Sequence, residues 1–129
     1  KIIIDRSKWL NAYTRYTLGP SLMLDHNGNM CCLGFVCVAS GVPKEDLISK
    51  LTPLYIKTAP LALSDASVAK DIRGAKYTQL AKQAMEYNDE SSLSKSGREK
   101  ALRQIFAAEG TYELEFVGEY PDEHASSNT

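Results

Sequence analysis

Residues 28–43 read GNMCCLGFVCVASGVP, and the conformation of this stretch decides the fold. Its centre, from Cys32 to Ser40, is apolar on every side, so it is a buried helix or a buried strand. The flanks choose between them. Gly41 suits the left-handed position just after a helix. Pro43, followed by Lys44, Glu45 and Asp46, suits the first turn of another. The spacing therefore predicts helices over 32–40 and 43–50. Upstream, Asn27-Gly28 is a strong type I′ turn signal between the apolar flanks "LML" and "MCC", which predicts a β-hairpin near 21–32.

Working outward, "KIII" at 1–4 reads as an edge strand. "DRSKWLNAYTRY" at 5–16 reads as a helix, with Asp5 as N-cap and Trp9, Leu10 and Tyr13 on one stripe. Over 51–76 the pattern weakens, with Pro53, Pro60 and Gly74 among several small residues, and a long irregular region with one helical turn near 65–71 is expected; loops of this length often bind something. "KYTQLAKQAMEYND" at 76–89 is the clearest helix, because Tyr77, Leu80, Ala81, Ala84, Met85 and Asn88 share a face. The next helix starts at Ser94 or Ser96, turns Ala101, Leu102, Ile105 and Phe106 inward, and stops at Gly110. "TYELEFV" at 111–117 alternates strictly, as a half-buried strand does. The fold class expected is α+β: a small, mostly antiparallel sheet, made from the hairpin near 21–32 and the strand 111–117, packed by about four to five helices. One globular domain over 1–120 and a flexible polar tail over 121–129 complete the expectation.

The 129 residues carry 15 basic and 16 acidic side chains, a net charge of -1. That balance gives no bulk attraction to nucleic acid or to an anionic membrane. No apolar run is long enough to span a bilayer. The three cysteines, an odd number tightly spaced, argue against a disulfide framework and for a reducing, cytoplasmic setting.

The cysteines are also the first candidates for chemistry. Cys31 and Cys32 stand near a helix start, where the dipole favours a thiolate. A nucleophile needs a base within reach. The two histidines, His26 in the turn and His124 in the tail, are badly placed for that. Core packing is the better reading of all three thiols, and no catalytic residue is assigned. "CC" and "CxxxxC" are not zinc spacings, so neither metal nor cofactor is expected.

Asn88 and Asp89 follow a helix, where Asp89 meets the negative end of the dipole. They either cap the turn or offer oxygens to a ligand or partner. Trp9 and the tyrosines suit a stacking surface. Arg6, Lys8, Arg15, Arg73, Lys76 and Arg98 are scattered in sequence, so a phosphate pocket has to be assembled in space. The candidate ligand-binding set is Trp9, Tyr13, Arg15, Cys31, Tyr77, Asn88, Asp89 and Arg98.

"DRSKWL", "GNMCCLGFVCVASGV", "AMEYNDESSLS", "REKALRQIFAAEG" and "YELEFV" together resemble a group of small proteins of tailed phages and prophages. These carry a G-[KN]-M-C-C-L-G-F signature after a tryptophan-leucine helix and a late "ND" before the last helix. The likeness covers about half of the chain, mostly 5–42 and 80–117. It implies an accessory protein acting in the cytoplasm of a bacterial host, and it transfers no functional residue. Small phage proteins without catalytic motifs often act by binding. The expected function is thus a non-enzymatic counter to host defence that sequesters a nucleotide-like immune signal. The alternatives are a protein–protein inhibitor of a host defence nuclease complex, using 51–76, and a thiol-dependent hydrolase. A homodimer through an exposed edge strand stays open.

Overall fold

A computed structural model describes residues 1–14, 21–50, 60, 62–63 and 78–121. Arg15, Tyr77, most of 51–76 and the tail beyond 121 lie outside the described residues, as does the helical turn expected near 65–71. The elements are β1 (Ile2–Asp5), α1 (Cys32–Ala39), α2 (Gln79–Asn88), α3 (Lys95–Glu109) and β2 (Leu114–Val117), with short 3-10 turns at Arg6–Lys8 and Lys44–Asp46.

The sheet differs from the expected one. It has two strands among the described residues, β1 and β2, and they run parallel. The register pairs Ile2 with Leu114 and Ile4 with Phe116, which puts all four side chains on the buried face. Period-2 alternation fixes which face of a strand is buried, but not the direction of its partner. Direction is set by the connection, and β1 reaches β2 only after α1, α2 and α3. A long crossover of this kind is what parallel pairing requires.

The expected hairpin is a turn without a ladder. Asp25 N donates to Asn29 O at 2.9 Å, and Asp25 Oδ1 accepts from the backbone of Asn27 and Asn29. Gly28 takes its positive φ of 86°. The two flanks then part. Leu24 bridges in parallel to Ile48, and Met30 bridges in parallel to Trp9. Each flank pairs with a distant segment, so the antiparallel sheet does not form.

The helix count also falls, from the expected four or five to three α-helices among the described residues. Of the helix expected over 5–16, residues 5–14 are described and form no α-helix. Asp5 does accept a hydrogen bond from Ser7 N, but it caps only one 3-10 turn. Trp9 is extended, with Leu10 N donating to Met30 O at 2.7 Å and Met30 N to Lys8 O at 2.9 Å. The Trp9, Leu10, Tyr13 stripe fits a strand end followed by a turn as well as it fits a helix. The helix expected over 43–50 shrinks to Lys44–Asp46 because those three residues are exposed and only Leu47 is buried beyond them. A helix with no apolar stripe has nothing to hold it.

α1 forms where its flanking residues place it, and α2 and α3 where the periodicity places them. α1 buries six consecutive residues from Cys32 to Cys37 and sits at the centre of the core, against both β1 and α2. Gly34 makes this possible: a Cβ there would lie 1.9 Å from Met23 O and 2.8 Å from Met30 Cβ. Thr78 caps α2 by accepting from Ala81 N, and Ser94, not Ser96, caps α3 by accepting from Gly97 N. Gly110, at φ 92°, ends α3. α2 packs on α3, and α3 on β2.

Candidate functional site

The signature residues meet at Asn88, the last residue of α2. Its side chain is buried, and its four hydrogen-bonding positions are all used. Oδ1 accepts from Trp9 Nε1 at 2.7 Å and from Cys32 N at 3.1 Å. Nδ2 donates to Leu10 O and to Asp89 Oδ1, both at 2.9 Å. One amide therefore caps the first turn of α1, satisfies the only indole and ties the 8–10 segment to α2. Asp89 extends the junction: its carboxylate accepts from Ser21 N at 2.8 Å and Ser21 Oγ at 2.5 Å. Trp9 is 1% exposed and lies 4.9 Å from Phe116 and 6.2 Å from Tyr120, ring centre to ring centre. An indole so enclosed has no face open to a base.

The three thiols are free and buried. Burial pushes the Cys31 and Cys37 thiols up to about 12 and Cys32 well above its usual value. Hydrogen bonds from Gly34 and Leu33 pull Cys31 the other way and lose to desolvation. Thiols raised in this way stay protonated at neutral pH. The helix start does not activate Cys31, because its side chain is dry. Cys32 Sγ faces Ala84 O at 3.8 Å, a packing contact with α2. His26 is exposed in the 25–29 turn. Among the described residues no three His, Cys, Asp or Glu side chains group as metal ligands.

A second cluster lies where the 11–14 turn meets the start of α3. Tyr13 is 36% exposed, and its hydroxyl donates to Leu93 O. The Arg98 guanidinium lies over the Tyr13 ring, 4.7 Å from its centre, and Lys95 Nζ is 5.6 Å away. Lys95 Nζ also stands 5.0 Å over Tyr120, and Arg6 stands 5.8 Å over the same ring. Contacts of this kind are favourable by about 0.5–2 kcal/mol, more as they lose water. Arg98 is fully buried, with Nε donating to Tyr87 O at 3.0 Å and Nη2 to Glu90 O, so it also serves the carbonyl end of α2.

Glu99 anchors the other side of this corner. Arg6 grips it with two bonds, Nε to Oε2 at 2.7 Å and Nη2 to Oε1 at 2.8 Å, and Tyr120 donates to Oε2 at 2.5 Å. Burial alone would raise the Glu99 carboxyl, but the Arg6 and Tyr120 hydrogen bonds and the Arg6 and Arg103 charges hold it below its ordinary value.

Of the eight residues expected to bind ligand, the structure thus brings Trp9, Cys31, Asn88 and Asp89 together as one buried junction. It brings Tyr13 and Arg98 together as a separate, partly open corner. Arg15 and Tyr77 lie outside the described residues. Lys95, Glu99 and Tyr120 complete the corner and were not singled out from sequence. The signal available for Glu99 and Lys95 was their spacing: 95, 98, 99 and 102 share a helix face, which places charges beside the buried Leu102. No family model matches the chain, and neither a curated protein nor a solved structure matches it.

Proposed function

We propose that the chain is a phage accessory protein that counters bacterial host defence by binding rather than by catalysis, sequestering a nucleotide-derived immune signal. The phage origin rests on the likeness of the tryptophan, G-N-M-C-C-L-G-F and N-D segments to small tailed-phage proteins. The observation that carries the binding reading is the corner of Tyr13, Lys95, Arg98 and Tyr120, in which two cations lie over two tyrosine rings. Cations beside aromatic faces are the chemistry that recognises a phosphate joined to a base. The dry, un-ionised thiols favour binding over thiol chemistry.

The test is thermal stability of the full chain against a panel of cyclic and linear nucleotides. A ligand at 100 times its Kd adds about 2.7 kcal/mol, which raises Tm by roughly 5–15 °C for a chain of this size. Lys95→Ala lowers the response, and the ligand is recovered chemically unchanged. A panel with no stabilising member dismisses sequestration. A ligand recovered as a cleaved product dismisses the non-enzymatic reading.

A further inference from the structure

Among the described residues, two buried side-chain nitrogens have no hydrogen-bond partner: Asn11 Nδ2 and Arg98 Nη1. Both residues are 0% exposed, and both atoms are donors. The orientation of Asn11 is fixed, since its Oδ1 accepts from Tyr13 N at 2.8 Å. The remaining nitrogens of Arg98 are engaged by Tyr87 O and Glu90 O. A buried N–H without an acceptor is costly. Two of them, with no buried side-chain acceptor left unpartnered among the described residues, leave a demand for oxygen that those side chains do not meet.

Tyr13 connects the two. Its backbone is held by Asn11, its ring lies against the Arg98 guanidinium, and its hydroxyl is tied to Leu93 O. It is also the exposed member of the group. Carboxylates on the neighbouring segments are supplied with other donors: Glu90 accepts from Ser92 N and Oγ, Asp89 from Ser21 and Asn88, and Glu99 from Arg6 and Tyr120.

Resting on the nucleotide-binding reading, we propose that Tyr13 is a movable cover and that a phosphoryl group of the ligand is the missing acceptor. When the ring turns out, phosphoryl oxygens take the Arg98 Nη1 donor, with the Asn11 amide as second donor on the same turn and Lys95 adding charge. A guanidinium fork is suited to a phosphoryl edge in a way an ammonium is not.

The experiment is NMR of the full chain labelled with ¹⁵N-arginine, titrated with inorganic phosphate, with AMP and with adenosine. Phosphate and AMP shift the Arg98 guanidinium signals saturably, and adenosine leaves them in place. Arg98→Lys weakens AMP binding about tenfold or more. Tyr13→Phe keeps the ring, frees it from Leu93 and raises the affinity for inorganic phosphate severalfold, a check independent of any folding defect in the Arg98 variant. Arg98 signals that stay fixed in phosphate up to about 50 mM, where a millimolar site is saturated, overturn the phosphoryl site. If nucleotides still stabilise the chain in that case, sequestration survives and this inference alone fails. If phosphate moves Arg98 while no nucleotide stabilises the chain, the phosphoryl site stands and sequestration falls.

Discussion

Replacing Asn88 with alanine removes one side chain and strands three buried groups. Trp9 Nε1, Cys32 N and Leu10 O each lose their partner in a single step. Each orphaned group costs about 1–3 kcal/mol, and some of that is recovered as water or neighbours adjust. The expected loss is about 3–5 kcal/mol, a large share of the ~5–15 kcal/mol that holds a domain together. With a urea slope of about 1.5 kcal/mol per molar, the midpoint falls by about 2–3 M. The assay is urea unfolding followed by fluorescence, and Trp9, as the only tryptophan, reports on the junction itself. Asn88→Asp separates the two halves of the amide. It keeps an acceptor for Trp9 and Cys32 but sets an oxygen against Leu10 O and Asp89 Oδ1. Burial beside another carboxylate raises the folded-state pKa of the new acid, so its penalty grows as pH rises through the unfolded value of about 3.9. At neutral pH this variant is as unstable as the alanine one, and it recovers in acid relative to it. A loss below about 1 kcal/mol for Asn88→Ala, or native stability for Asn88→Asp at pH 7, would refute the view that this amide joins the elements.

Gly34→Ala drives a methyl group into Met23 O, a backbone atom that cannot step aside, and the variant is expected in inclusion bodies or with a midpoint lowered by about 2 M urea or more; a soluble variant of wild-type midpoint contradicts the packing. Native protein resists iodoacetamide at all three cysteines and takes up three labels once unfolded, as read by intact mass, because burial raises every thiol; one label on the folded chain reopens thiol chemistry. Glu99 is held below its ordinary 4.5, so its contribution is full above that pH and fades as pH falls through the folded value. Urea midpoints taken from about pH 6 to about pH 3 drop more steeply for the wild type than for Glu99→Gln, and parallel curves would argue against the Arg6–Glu99–Tyr120 linkage.

The elements that could be read from sequence are those whose burial follows local periodicity. α2 and α3 repeat their apolar residues every three or four positions, with Ser94 and Gly110 marking the ends of α3, and β2 alternates cleanly at Leu114, Glu115 and Phe116. What could not be read is pairing between segments far apart. Trp9 and Met30, Leu24 and Ile48, and Ile2 and Leu114 are joined by single bridges or a four-residue ladder, and no local pattern names a distant partner. The turn at Asn27-Gly28 was legible and the ladder beyond it was absent, because a turn is a local preference and a ladder is a tertiary choice. Asn88 and Asp89 were visible as a polar pair after a helix. Their partners, Trp9, Leu10, Cys32 and Ser21, lie at separations that periodicity does not reach. The corner was half legible: Tyr13 and Arg98 stood out as an aromatic and a cation, while Glu99 and Tyr120 gained meaning only once Arg6 was beside them.

The pairing of β1 with β2 bears on how the protein is made. Ile2 leaves the ribosome 112 residues ahead of its neighbour Leu114, and at about 5–20 residues per second that delay is roughly 6–22 s. Through that interval Ile2, Ile3 and Ile4 travel as a sticky unmatched ribbon, and α3, once made, lacks the strand it packs against. Nascent chains arrested before Val117 should therefore be protease-sensitive and prone to capture by chaperones, and the whole architecture should lock in only as the last strand emerges.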